Sequence, residues 1–159
     1  MERTKKNEAL FDIFVQIRNS DLNREKKNSL IRELFRGEDW SWVVTGISKE
    51  SLNILKANNF EKKPYSLERH YISSIQTGLK LIEKRDLSFD DWSNIIEKGE
   101  KTHIITKLER KSKKDYEYYP IAVDLALFKN VHIGFRYDEE EKIYLKSINE
   151  GSEVNLQKF

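Results

Sequence analysis

The sequence contains no cysteine among its 159 residues, and this absence excludes two kinds of site. Without thiols the chain can form neither a disulfide framework nor a zinc site built from thiolates. The absence also suits a reducing compartment, so we expect a cytoplasmic protein. Long apolar runs are missing as well, because the longest, such as 121–123 and 125–128, span only a few residues. We therefore expect no segment that enters a membrane.

Sequence motifs of several common enzyme classes are also absent. The chain has no glycine-rich phosphate loop, no dinucleotide-binding fingerprint, no Gly-x-Ser-x-Gly elbow and no His-Glu-x-x-His zinc motif. Its three histidines, His70, His103 and His132, are far apart in the sequence. Any metal site must therefore be assembled by the fold from one histidine and carboxylates rather than from a local cluster.

The charge is nearly balanced overall but not along the chain. Charged residues make up 35% of the sequence, and the formal net charge of +2 is too small to indicate a nucleic-acid-binding protein. Residues 98–114, however, contain two acidic side chains against seven basic ones: Lys98, Lys101, Lys107, Arg110, Lys111, Lys113 and Lys114. A patch of this kind can neutralise phosphates. The alternative is a solvated helix and loop in a lysine-rich protein.

The spacing of apolar residues predicts several helices. Helical periodicity over 6–18 and 21–35, with Asp21 as an N-cap, predicts an N-terminal helical hairpin within residues 1–37. Further helices are predicted to begin after Ser48, Ser88 and Asp138.

Extended patterns between these helices predict a small sheet. Strands are expected at 40–45, 67–72, 102–106 and 131–136, with 115–120 as a connection. Trp40 and Trp42 should share one strand face as core residues. The prediction is an α+β fold, a mostly antiparallel sheet flanked by helices, with the hairpin packed on a core of 38–150 and a polar tail at 151–159.

The strand at 67–72 carries the most suggestive pair of side chains. Because side chains alternate along a strand, Glu68 and His70 should point to one face and Leu67, Arg69 and Tyr71 to the other. A carboxylate beside an imidazole can hold its tautomer, raise its basicity or share a metal with it. The alternative is a half-buried strand whose histidine is merely hydrogen-bonded.

The order of three segments resembles a divergent HNH-type nuclease of small bacterial and phage proteins. The segments are the strand that carries His70, the stretch Lys-Thr-His-Ile-Ile-Thr-Lys-Leu-Glu-Arg that begins at Lys101, and Phe-Arg-Tyr-Asp-Glu-Glu-Glu-Lys that begins at Phe135. The resemblance implies a ββα-metal-like core. In it the strand at 102–106 pairs with the His70 strand, and the next helix packs across both.

The resemblance also implies roles for particular residues. His70 matches the general base that activates water, and Glu68 matches a neighbouring ligand of a metal ion, Mg²⁺ or Mn²⁺. Thr77 matches a polar position that follows. Two residues depart from the family pattern, since Arg110 stands where an asparagine is expected and Tyr137 where a later histidine is expected.

The departure at Arg110 changes what the site can do. An arginine cannot ligate a cation, but it can donate two hydrogen bonds to a phosphate. Next to His70 its charge would also lower the pKa of the imidazole. Glu68, His70 and Arg110 are therefore the catalytic candidates.

We expect a nucleic-acid-directed protein, with DNA the favoured partner, acting as a metal-dependent phosphodiester hydrolase in restriction or phage conflict. Two alternatives stay open, a catalytically disabled nuclease-like DNA binder and a protein–protein inhibitor of the immunity type. A homodimer or a partner protein stays open too. The substrate-binding candidates are Arg69, Thr77, Lys101, Lys107, Lys111, Lys113 and Lys114.

Overall fold

The computed structural model describes residues 1–61, 66–73, 77–84, 86–112, 115–123, 127–128, 138–150 and 156–159. These residues form seven helices and five strands, which confirms the predicted α+β class. In chain order they are α1 Lys5–Asn19, α2 Arg24–Phe35, β1 Val43–Ser48, α3 Lys49–Ala57, β2 Leu67–Tyr71, α4 Thr77–Glu83, α5 Phe89–Gly99, β3 Lys101–Thr106, α6 Lys107–Ser112, β4 Glu117–Pro120, α7 Glu139–Glu150 and β5 Gln157–Lys158. Among these residues, no helix has the length and apolar character that crossing a membrane requires.

The chain forms two compact units. The first comprises Met1–Ser41 and Ser73–Lys101, and the second comprises Trp42–Ile72 and Thr102–Phe159. The predicted division into 1–37, 38–150 and a tail at 151–159 stays a prediction, because a grouping by contacts does not show which parts fold independently.

The first unit is helical, and its core surrounds Trp92. Helices α1 and α2 form the predicted hairpin, α2 packs on α4, and α4 packs on α5. The indole of Trp92 is fully buried, with five aromatic rings at centroid distances from 5.5 to 6.2 Å: Phe11, Phe14, Phe35, Trp40 and Phe89. Aromatic residues therefore supply much of this core, since each buries a large apolar area.

The helix caps in this unit follow local sequence signals, with one correction. Ser88 caps α5 as predicted, because its Oγ accepts the Asp91 N–H at 3.1 Å. The predicted cap of α2 at Asp21 is wrong, since Asn23 Oδ1 accepts the Lys26 N–H at 2.9 Å. Asparagine and aspartate are about equally good N-caps, so residue type alone does not choose between these positions.

The two tryptophans before β1 do not share a strand face as predicted. The strand begins only at Val43, and Trp42 has a positive φ of 57°, which interrupts the extended alternation. Trp40 packs edge-to-face on Phe35 in the first unit, at a centroid distance of 5.1 Å. Trp42 instead packs on Tyr71 in the second unit, at 4.9 Å.

The sheet has the strand order β2-β3-β1-β4-β5. Antiparallel pairing joins β2 with β3, β1 with β4 and β4 with β5. Segment 115–120 was predicted as a connection, but Glu117–Pro120 forms β4, and Gln157–Lys158 within the predicted tail forms β5. The predicted strand at 131–136 lies outside the described residues.

One face of the sheet packs on an apolar core. Its fully buried members include Ile47, Leu55, Ile104 and Leu145. Helix α3 contacts β1, β4 and α7, so α3 and α7 belong to this side of the second unit.

The opposite face holds a buried imidazole under aromatic rings. His103 is 2% exposed, and its Nδ1 lies 3.0 Å from the Tyr116 hydroxyl. The rings of Tyr118 and Phe159 lie at centroid distances of 4.3 and 5.5 Å from the imidazole. Burial lowers the His103 pKa from 6.5 to about 4. His103 is therefore uncharged at neutral pH.

Replacing His103 by asparagine should remove part of the pH dependence of stability. In the unfolded chain His103 gains a proton near pH 6.5, whereas the folded chain resists protonation until about pH 4. The free energy of unfolding therefore falls by about 3 kcal/mol in total as the pH falls from 6.5 to 4. Urea unfolding of both proteins at several pH values measures the difference. Equal losses on acidification in wild type and His103→Asn would contradict the assignment.

Candidate functional site

Strand β2 presents its side chains as the sequence predicts. Leu67 and Arg69 are 2% and 4% exposed, whereas Glu68 is only partly covered and His70 is exposed. In the antiparallel pair with β3, His70 lies opposite His103. Directly opposed residues share a face of the sheet, so the Glu68 and His70 side lies away from the apolar core.

Helix α6 is fixed next to this strand by a capping box that begins at the end of β3. The Thr106 hydroxyl accepts the Glu109 N–H at 3.0 Å, and Glu109 Oε2 accepts the Thr106 N–H at 2.8 Å. The same carboxylate oxygen accepts a hydrogen bond from the Ser48 hydroxyl at 2.8 Å. In addition, the Lys107 N–H donates to the Ser66 carbonyl at 2.8 Å, directly before β2.

This anchoring brings Arg110 to Glu68. The Arg110 Nε lies 2.9 Å from Glu68 Oε1, and the two side chains are 47% and 13% exposed. Glu68 Oε1 is buried and accepts no well-aligned hydrogen bond from any described residue, so the contact is an ion pair held mainly by charge. An ion pair with one half-exposed partner contributes up to about 1 kcal/mol.

The surroundings of His70 keep its imidazole neutral at pH 7. Desolvation of the part of the imidazole that its neighbours cover lowers the pKa of His70 most strongly, Glu68 raises it, and the positive charge of Arg110 lowers it again. The net direction is downward from the ordinary value of 6.5. The effect expected of Arg110 on this pKa is confirmed in direction. A neutral imidazole can accept a proton, as a general base must.

The described residues do not fit a divalent cation at this site. Glu68 and His70 offer a carboxylate and an imidazole, but the Glu68 carboxylate faces the Arg110 guanidinium, which repels a cation. The described part of the chain contains no group of three histidine or acidic side chains placed to share a metal ion. The use of Mg²⁺ or Mn²⁺, with Glu68 as a ligand, stays a prediction.

The other predicted substrate contacts are distributed unevenly. Arg69 is buried on the core face, where its guanidinium donates to the Phe128 carbonyl and burial lowers its pKa to about 10. Thr77 is buried in the first unit, at the start of α4. Lys101, Lys107 and Lys111 are exposed, the last two on α6 beside Arg110. Lys113, Lys114 and Tyr137 lie outside the described residues.

Sequence reasoning missed the residues that hold the site together. Thr106 and Glu109 form a Thr-x-x-Glu capping box, a local signal that could have fixed the start of α6. The third partner, Ser48, also caps α3, where its Oγ accepts the Ser51 N–H at 3.1 Å. Its hydrogen bond to Glu109 joins positions far apart in the sequence, so no local pattern predicts it.

Comparison of the chain with protein-family models, with curated proteins and with solved structures gives no match. The resemblance to HNH-type nucleases is therefore neither supported nor opposed by these comparisons.

Neutralising Arg110 and neutralising Glu68 should move the pKa of His70 in opposite directions. Arg110→Gln removes a positive charge and should raise the His70 pKa, whereas Glu68→Gln removes a negative charge and should lower it. Lys111→Gln, the same change of charge on an exposed side chain of α6, is the control. Proton NMR titration of the histidine ring resonances measures these shifts. If Arg110→Gln and Glu68→Gln leave the His70 pKa at the wild-type value, the described juxtaposition is wrong.

Proposed function

We propose that this protein acts on nucleic acid and that the site formed by Glu68, His70 and Arg110 contacts the phosphodiester backbone. The observation that carries the proposal is their juxtaposition, an arginine on a short basic helix beside a carboxylate and a neutral imidazole. DNA is the favoured partner, as the resemblance to HNH-type nucleases implies.

The chemistry of Arg110 suits a phosphate. Its guanidinium is planar and can donate two parallel hydrogen bonds to phosphate oxygens, which a lysine ammonium cannot do in that geometry. Lys107 and Lys111 expose two further positive charges on the same helix. These charges attract a polyanion without specifying its sequence.

In the hydrolytic form of the proposal, His70 acts as the general base. It removes a proton from a water molecule whose oxygen attacks the phosphorus atom, and the bond from phosphorus to the leaving oxygen breaks. Arg110 hydrogen-bonds the phosphate oxygens, which gain negative charge in the transition state. Phosphodiester hydrolysis in restriction or phage conflict is the activity that the resemblance implies.

A second candidate is a nuclease-like protein that binds DNA without cutting it. The ion pair between Arg110 and Glu68 favours this candidate, because the carboxylate that the resemblance assigns to a metal ion is held by a cation of the protein. A phosphate would then compete with Glu68 for Arg110. Glu68 would weaken binding rather than support catalysis.

Removing the Arg110 guanidinium should weaken DNA binding and flatten its dependence on salt. Arg110→Ala should lower the salt slope by about one phosphate contact, and Arg110→Lys should restore the slope but not the full affinity. Glu68→Gln should strengthen binding, because the competing charge is gone. Fluorescence anisotropy with a labelled duplex at several salt concentrations measures all three variants. Unchanged affinity and salt slope in Arg110→Ala would contradict the phosphate contact and favour a protein-directed inhibitor.

The two candidate functions differ in whether the protein cuts DNA. Plasmid DNA incubated with the protein and Mg²⁺ or Mn²⁺ should be cut by the wild type if the hydrolytic form is correct. His70→Ala should then lose cleavage by about 10²-fold or more while keeping DNA affinity. DNA that is bound at low salt but stays intact with either metal ion would leave the binding protein as the function.

A further inference from the structure

The aromatic face of the sheet is a second surface that the proposed site does not use. Tyr116 directly precedes β4, Tyr118 lies within it, and Phe159 follows β5. The rings of Tyr116 and Phe159 are stacked, with centroids 5.1 Å apart and planes inclined by 24°. Phe159 is 46% exposed and both tyrosines are partly exposed. These three rings, called the aromatic face below, lie on the solvent side of the sheet.

The layer beneath the aromatic face is uncharged and tightly packed. The imidazole of His103 lies against Gly46, where a Cβ atom would come within 2.8 Å of the ring. Tyr118 would lie 2.7 Å from the same Cβ atom. Glycine is therefore required at position 46, because any larger residue would displace the rings of His103 and Tyr118. Because His103 is neutral at pH 7, it supports the rings without placing a charge beneath them.

The aromatic face adjoins the basic helix. Ser48 lies opposite Tyr118 in the pairing of β1 with β4, so both belong to the same side of the sheet. The Ser48 hydroxyl donates to Glu109 of α6, and the next residue of α6 is Arg110. The aromatic face and Arg110, which we propose contacts phosphate, thus lie on the same side of the sheet.

We propose that this surface binds single-stranded nucleic acid, with bases stacked on Phe159 and Tyr118 and the backbone held at Arg110. The inference rests on the proposed function and specifies its substrate class. Exposed aromatic rings on a sheet offer a platform for unpaired bases, whereas the bases of a duplex are already stacked on one another. The basic helix supplies the charge complementarity to the backbone.

The distance between the aromatic face and Arg110 suits a short single strand of nucleic acid. Three steps between neighbouring strands separate β2 from β4, or about 14 Å at the usual spacing. A stacked strand advances about 3.4 Å per nucleotide, so about four nucleotides bridge this distance. Sites of this size are typical of proteins that bind single strands through stacking.

Two substitutions of Phe159 separate stacking from packing. Phe159→Leu keeps an apolar side chain but removes the π face, whereas Phe159→Trp keeps and enlarges it. Ile143→Ala, at a side chain that is 65% exposed on α7, is the control for loss of exposed apolar area elsewhere. The probes are a fluorescein-labelled oligo(dT) of about twelve nucleotides and a labelled duplex of the same length. Urea unfolding of each variant establishes that the fold is retained.

We expect a loss of affinity for the single-stranded probe only. Wild type, Phe159→Trp and Ile143→Ala should bind oligo(dT) more tightly than the duplex, and Phe159→Leu should bind oligo(dT) about 5- to 150-fold more weakly with duplex affinity unchanged. Equal oligo(dT) affinity in wild type and Phe159→Leu, with Arg110-dependent duplex binding intact, would overturn this inference and leave the proposed function standing. Absence of binding to both probes by the wild type would overturn both.

Discussion

The position of helix α6, and with it the candidate site, depends on the contacts of the Glu109 carboxylate. One of its oxygens accepts hydrogen bonds from the Thr106 N–H and the Ser48 hydroxyl, so it closes the first turn of α6 and ties that turn to β1. A cap of this kind contributes about 1 kcal/mol to stability. Its larger effect is positional, because α6 has only six residues and would not persist as an isolated helix. The placement of Arg110 follows from it.

The opposite charges of Glu68 and Arg110 act against one another on the pKa of His70. Arg110 lowers the pKa of the imidazole and Glu68 raises it, while the two neutralise each other at the surface. In the proposed function Arg110 turns to a phosphate, so that Glu68 would lose its partner and act on His70 alone. Its charge would then favour protonation of the imidazole, the change that a general base undergoes during water activation. The proposed function therefore couples phosphate binding to the basicity of His70 through one ion pair.

Local sequence signals predicted the elements that depend on local physics, and they missed those that depend on pairing. The alternation in β2 and the cap at Ser88 follow from side-chain geometry and hydrogen bonding within a few residues, and both were predicted. The polar β4 was missed because its strand conformation comes from pairing with β1. The Glu68 and His70 pair was predictable from strand periodicity, whereas the pairing of β2 with β3 that brings Arg110 to Glu68 was expected only from the resemblance and from no local signal.

The most direct test of a backbone contact at this site is the ¹⁵N–¹H resonance of the Arg110 Nε–Hε group during titration with DNA. If Arg110 contacts the backbone, this resonance should shift on addition of DNA and return as salt is raised, with the His70 ring signals shifting over the same range of DNA concentration. Bound DNA that leaves both the Arg110 and the His70 resonances unmoved would place the nucleic acid elsewhere and contradict a backbone contact at this site.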